Sequence, residues 1–134
     1  MEEITVNLHN HTTLSDGTGT FYEIAQAGLD NQIDVIIITD HNIYSYGVDG
    51  YYYRNGQRLL ILVGEEIHAP AKISKDHLLL IGANEELSRI SSQKQDIFNY
   101  CKEHNAISII AHPFDKAVPF LGQKSYEWTQ WDLT

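Results

Sequence analysis

Histidines and carboxylates stand at the ends of the apolar runs in this sequence. His9 and His11 follow the first run, residues 4–8, and lie two residues apart, so on an extended chain both imidazoles leave the same face. Two imidazoles on one face suit a single metal ion at about 2.0–2.1 Å. Asp16 follows in a Ser-Asp-Gly turn, which can bring its carboxylate back toward the strand end. This spacing predicts a metal site and, with it, metal-assisted hydrolysis.

The same pattern recurs along the rest of the chain. Ligand-type residues flank each later apolar run: Asp40 and His41 after residues 35–38, Glu65 and Glu66 after residues 59–63, His77 before residues 78–81, and His112 after residues 107–110. Strand alternation sends Glu65 and Glu66 to opposite faces. Any one of these residues alone could be a structural one, bonded to backbone or capping a helix. Packing alone rarely places so many of them at the edges of the core.

The apolar runs predict strands, and amphipathic helices lie between them. The predicted strands cover residues 4–8, 35–39, 59–63, 78–81 and 106–110. Thr20 with Glu23, and Ser92 with Gln95, match the capping box that begins a helix. Strand, helix and strand joined by short links predict a parallel βαβ unit. Residues 44–57 contain three glycines and five tyrosines and predict a long loop or hairpin, whose role the sequence leaves open.

Length, charge and cysteine content narrow the class of protein. At 134 residues the chain is long enough for one domain with a buried core. Its net charge of −9 opposes binding of long nucleic acid but allows a small phosphorylated substrate once divalent cations are bound. No apolar run approaches the roughly 18 residues of a membrane span, which predicts no membrane partner. The single cysteine, Cys101, fits a reducing compartment and predicts a cytoplasmic location.

Taken together, these motifs resemble those of a known family. Their order and spacing are similar to those of the polymerase and histidinol phosphatase (PHP) family of metal-dependent phosphoesterases. The motifs are His9-x-His11 with Asp16-Gly17, Thr39-Asp40-His41-Asn42, Gly64-Glu65-Glu66, His77-Leu78-Leu79 and Ala111-His112-Pro113. The sequences of residues 64–67 and 77–82 look most like those of the branch that includes carbaryl-type ester hydrolases.

The resemblance implies an α/β fold, the front five strands of a distorted (β/α)7 barrel, mainly parallel, with helices outside. Residues 1–134 would form a single PHP-type domain that is incomplete at its C-terminus. The last strands and a later Asp-x-His ligand pair are missing after His112. The segment that holds Trp128 and Trp131 looks like the entry to another strand. Because an incomplete barrel leaves open strand edges, we expect the chain to self-associate through them.

The family pattern also implies a role for each ligand-type residue. A first ion would be held by His9, His11 and Glu66, a second by Glu66, His77 and His112, and a third by Asp16 and His41. Glu66 is preferred to Glu65 because the family motif is Gly-x-Glu, and Glu66, His41 and Asp16 would serve the catalytic step. Asp40 would accept a hydrogen bond that orients an imidazole, and Glu65 would be a supporting or rim acid. His68 would be a rim residue that binds no metal.

The implied activity is hydrolysis of a small phosphorylated substrate by a metal-bound hydroxide. Imidazole and carboxylate ligands suit Zn, Mn or Fe, with one to three ions in a complete protein and one or two expected here. Two alternatives stay open. The same metal site could hydrolyse a carboxylic or carbamate ester, or the chain could be a non-catalytic module that binds metal or a partner protein, because the C-terminal ligands are missing.

Overall fold

The computed structural model describes residues 3–69, 76–90 and 93–113, which form one curled, mixed sheet with helices on one face. In chain order the elements are β1 (Val6–Asn10), α1 (Phe21–Asp30), β2 (Val35–Ile38), β3 (Gly50–Arg54), β4 (Gln57–Ile67), β5 (Leu78–Ile81), a 3₁₀ turn (Leu87–Arg89), α2 (Lys94–His104) and β6 (Ile107–Ile110). The strands lie in the order β1-β2-β4-β5-β6, and β3 pairs with β4. The α/β class and the outer helices are as predicted.

The prediction of a mainly parallel sheet is wrong. Strand β2 pairs in parallel with β1 and β4, whereas β3–β4, β4–β5 and β5–β6 pair antiparallel. Parallel neighbours need a crossover of a dozen or more residues. Only residues 55–56 join β3 to β4 and only residues 68–77 join β4 to β5, so both connections reverse the chain. Strand β6 therefore runs in the same direction as β1, β2 and β4.

The third predicted strand is longer than its apolar run. Strand β4 continues through Gly64 to Ile67, so Glu65 and Glu66 lie inside the strand rather than after it. The extra residues pair with β5, and Gly64 permits this pairing, since a Cβ there would lie 2.3 Å from the Leu80 carbonyl oxygen. The hairpin prediction for residues 44–57 is confirmed at their end, where Asn55 and Gly56 have φ of 51° and 78°, as in a type I′ turn.

The helix ends follow local chemistry. The capping box of α1 is confirmed: Thr20 Oγ1 accepts from the Glu23 backbone N–H at 3.3 Å, and Glu23 Oε2 accepts from the Thr20 N–H at 2.8 Å. Helix α2 instead has Gln93 as its N-cap, with no side-chain hydrogen bond, and the predicted cap Ser92 lies outside the described residues. Its C-cap, Asn105, takes the left-handed conformation at φ 55°.

Both helices pack on the same face of the sheet. Buried side chains of β2 and of the first half of β4 pack against α1, and those of β5 and Ile67 pack against α2. The opposite face carries Glu66 and, nearer the start of the strands, the partly exposed apolar residues Val6, Leu8 and Leu62. None of the described helices is long and apolar enough to cross a membrane. Trp128 and Trp131, on which the predicted further strand depends, lie outside the described residues.

Candidate metal centre

The strand directions bring the predicted ligands to one edge of the sheet. Strands β1, β2, β4 and β6 all end at this edge. Strand β5 runs the other way, so the residue just before it, His77, lies at the same edge as His11, His41 and His112, which follow the other strands. The reversal of β5 explains why one histidine of the motif set precedes its strand.

Glu66 lies at the centre of this cluster and is fully buried, with 0% of its surface exposed. One carboxylate oxygen, Oε2, lies 3.0 Å from Nε2 of both His9 and His11. The same oxygen is 3.2 Å from Nδ1 of His41. The structure therefore gathers the end of β1, the end of β2 and the end of β4 around one oxygen atom.

The other oxygen of Glu66 faces a second pair of imidazoles. Oε1 lies 2.8 Å from Nδ1 of His77 and 3.3 Å from Nε2 of His112. The backbone couples these two residues, since the Ala111 N–H donates to the His77 carbonyl oxygen at 3.1 Å. His112 also has a positive φ of 31°, a strained value for a residue with a side chain, and such strain clusters at functional sites. Each oxygen of Glu66 thus has its own set of imidazoles, as a bridging carboxylate requires.

Asp16 closes the cluster on its solvent side. Its carboxylate lies 3.5 Å from His11 Nδ1 and 3.6 Å from His41 Nε2, and 69% of its side chain is exposed. The loop that carries it is tightly wound, because the Gly17 N–H donates to the Thr12 carbonyl oxygen at 2.9 Å. A Cβ at Gly17 would lie 2.1 Å from the His11 carbonyl oxygen, so only glycine fits the Ser-Asp-Gly turn here.

The charges of the cluster are set by these contacts. Burial raises the pKa of Glu66, but hydrogen bonds from His11, His77 and His9 outweigh burial and hold the pKa well below its usual range. The hydrogen bond to Glu66 raises the pKa of His11. Burial lowers the pKa of His41, which favours a neutral ring with a free lone pair. The cluster therefore combines an ionised carboxylate with imidazoles that can act as ligands.

The donor set fits divalent metal ions. His41 Nδ1 is buried and makes no hydrogen bond with any described residue. His9 Nε2 and His11 Nε2 lie 2.8 Å apart, so their lone pairs would repel each other unless a proton or a cation lies between them. In three overlapping groups the ligand atoms lie within 4.8 Å of one another: His9, His11 and Glu66; His11, Asp16 and His41; and His41, Glu66 and His77.

Asp40 supports the cluster differently from the prediction. It is fully buried, and no described imidazole donates to it directly. Its Oδ1 accepts from the Thr12 N–H at 2.7 Å and from Ser15 Oγ at 2.6 Å, and its Oδ2 accepts from Thr12 Oγ1 and Ser45 Oγ. Ser15 Oγ is in turn 3.5 Å from His11 Nδ1. Asp40 therefore holds the loop that presents Asp16, and Ser15 links it to His11 by hydrogen bonds.

Glu65 points to the helix side of the sheet, away from the cluster. With 1% exposure it is buried rather than at the rim. Its carboxylate accepts from the backbone N–H groups of Leu87 at 2.8 Å and Ser88 at 3.3 Å. Burial raises its pKa, although these hydrogen bonds oppose the shift. Glu65 therefore anchors the 3₁₀ turn and contacts no imidazole among the described residues.

Two residues are closer to the cluster than the sequence indicated. The ring of His68 stacks on His77 at 4.8 Å and meets His41 edge-on at 4.8 Å. Asn42 holds the end of β4 beside Glu66: its N–H donates to the Glu66 carbonyl oxygen at 3.0 Å, and its Oδ1 accepts from the His68 N–H at 3.1 Å. The positive φ of Asn42, 52°, suits an asparagine, and its place directly after Asp40-His41 is the signal that could have identified it.

Comparison with known proteins agrees with the site. A family model described as PHP domain matches residues 7–117, and this range includes every residue of the cluster. A search of curated proteins finds no match for the chain. PHP domains bind divalent metal ions and are generally metal-dependent hydrolases. Because this family model matches most of its length, the chain belongs to the PHP domain family.

Proposed function

We propose that this chain carries the metal centre of a phosphoesterase that acts on a small phosphorylated substrate. The observation that carries the proposal is the buried carboxylate of Glu66, which has three imidazoles at one oxygen and two at the other. Packing of a hydrophobic core does not explain this arrangement, because burying an ionised carboxylate is costly unless it is paired. Divalent cations held by Glu66 and the surrounding imidazoles would account for this gathering of ligand-type side chains.

The ligands divide naturally between the two oxygens of Glu66. His9 and His11 would hold one ion together with Oε2, and His77 and His112 would hold another together with Oε1. Asp16 and His41 would hold a third ion or complete the coordination of the first. Mixed imidazole and carboxylate ligands suit Zn, Mn or Fe, and we expect one or two ions in this chain.

Different residues of the chain would have different roles in hydrolysis. Divalent cations held here would neutralise the charge of a phosphate ester and lower the pKa of water. The carboxylate of Glu66 is fully buried and each of its oxygens faces its own imidazoles, so both oxygens are placed to contact a cation. His41 stays neutral at neutral pH, and Asp16 faces solvent at the open side, where a substrate enters. We assign the catalytic step to Glu66, His41 and Asp16.

The test uses the full chain, purified without chelator and analysed for metal. Phosphatase activity on p-nitrophenyl phosphate, with added Mn²⁺ or Zn²⁺, is then compared with activity on p-nitrophenyl acetate. We expect phosphate ester hydrolysis that EDTA abolishes. Less than about 0.2 equivalents of any transition metal would refute a catalytic metal site. Activity on the acetate alone would favour the carboxylic or carbamate ester hydrolase, and bound metal with neither activity would favour a non-catalytic metal-binding module.

A further inference from the structure

A buried ion pair lies beside the two chain segments that carry Glu66 and His77. Lys94, in the first turn of α2, is only 3% exposed, and Asp76 is 8% exposed. Lys94 Nζ lies 3.1 Å from Asp76 Oδ2. Burial lowers the pKa of Lys94, and Asp76 opposes that shift. A lysine is almost never buried unless it is paired, so this contact requires an explanation.

The pair is bonded to the two segments that carry Glu66 and His77. Lys94 Nζ donates to the carbonyl oxygen of Ile67, the residue after Glu66, at 3.4 Å. Asp76 is the residue before His77, and both of its oxygens accept from the Ala69 N–H, at 3.1 and 3.3 Å. The carboxylate of Asp76 thus joins the chain after β4 to the chain before β5.

Stability alone does not account for this ion pair. Replacing a buried ion pair by apolar residues of similar volume is often neutral or stabilising, because the desolvation cost disappears. What apolar residues cannot replace is the set of hydrogen bonds to the backbone at positions 67 and 69. These bonds fix the separation of Glu66 and His77, whose side chains meet at 2.8 Å.

We propose that Asp76 and Lys94 are positioning residues that hold His77, and through the backbone bond to Ala111 also His112, in place for the ion on the Oε1 side of Glu66. This inference rests on the proposed metal centre. It assigns to the pair no contact with substrate. Its effect is on the geometry of the ligands, in the manner of the outer groups that orient ligands at other metal sites.

The test measures Mn²⁺ binding by calorimetry, together with the melting temperature, for the full chain. The variants are Lys94→Met, Asp76→Leu and the double variant, and Lys102→Met is the control on an exposed part of the same helix. His112→Ala identifies which binding step belongs to the Oε1 side. We expect each single variant to lose roughly 10–100-fold in affinity at that step only. Each should also melt roughly 10 °C lower, because removing one partner of a buried ion pair is strongly destabilising.

The double variant separates positioning from simple stability. It contains no buried charge from the pair, so its melting temperature should recover, while its affinity at the Oε1 step should stay low. Recovery of both quantities, or wild-type affinity in all three variants, would overturn the inference and leave the proposed metal centre intact. A wild-type chain that binds no Mn²⁺ would refute the proposed function and this inference together.

Discussion

Replacing Glu66 by alanine should be the most damaging single change to the metal centre, and the chain contains its own matched control. Glu65 is the neighbouring residue on the same strand, with 1% exposure against 0% for Glu66. Both changes remove the same atoms from a buried position. Glu66 faces the imidazoles and Glu65 faces the 3₁₀ turn, so Glu65→Ala tests the loss of a buried carboxylate without the loss of a ligand.

The size of the effect follows from the two oxygens of Glu66. Loss of a residue that merely orients a ligand costs roughly 10–100-fold in metal affinity, so loss of a ligand should cost at least about 100-fold, or about 2.8 kcal/mol. Because each oxygen of Glu66 faces its own imidazoles, the loss should apply to both ions of the proposed centre. Glu65→Ala should leave metal affinity unchanged but destabilise the fold by about 1–3 kcal/mol for each N–H left unsatisfied at Leu87 and Ser88.

The assay combines metal analysis after dialysis against a fixed Mn²⁺ concentration with urea denaturation of the metal-free proteins. We expect Glu66→Ala to lose more than one ion's worth of metal, whereas His9→Ala and His112→Ala each weaken one ion. A result in which Glu66→Ala retains its metal while Glu65→Ala loses it would refute the assignment of the bridging residue. The face of β4 that points toward the imidazoles would then have to be reassigned by one residue.

Three further results are expected. In the metal-free protein, the pKa of Glu66 is lower in the folded state than its unfolded value of 4.5, so the ionised carboxylate stabilises the fold above pH 4.5. This stability is lost progressively as the pH falls from 4.5 through the folded pKa. Urea denaturation at pH 7 and pH 3 should show the loss, and Glu66→Gln should reduce it. Gly17→Ala should destabilise the fold by about 1–3 kcal/mol in the same assay and weaken binding at Asp16, because its Cβ meets the His11 carbonyl. Sedimentation should show concentration-dependent self-association that Leu8→Lys weakens, since Val6 and Leu8 are about half exposed on an apolar sheet face; a monomer at all concentrations would contradict this.

The motif residues and their common location were accessible from the sequence because each follows or precedes an apolar run. Strand-end placement is a local signal, and so is the capping box at Thr20 and Glu23 that positions α1. The pairing of strands is not local. The apolar run 78–81 predicts a strand correctly, but its antiparallel pairing with β4 depends on contacts between residues that are distant in the sequence. This is why the predicted parallel sheet is mixed in the structure.

The supporting residues were harder to predict because their partners are distant in the chain. Asp40 accepts from Thr12 and Ser15, which lie 28 and 25 positions away, and Asp76 pairs with Lys94 on a separate helix. A charged residue in a sequence is usually on the surface, so nothing in the local pattern marks Lys94 as buried. Only the fold identifies such residues, whereas the ligands themselves carry a recognisable spacing.

The hydrogen-bonding capacity of the cluster connects the fold to its chemistry. Glu66 can accept from several donors, but the nitrogens of His9 and His11 also face each other at 2.8 Å, and His41 Nδ1 has no hydrogen-bond partner among the described residues. His9 and His11 cannot both donate an Nε2–H to Glu66 without placing their two protons close together, and if neither nitrogen carries a proton their lone pairs face each other. A divalent cation resolves this conflict because it accepts lone pairs that otherwise repel one another. The side chains at this sheet edge could hold a metal ion, and the cost of gathering them without one is the physical reason to expect metal binding and folding to be coupled in this chain.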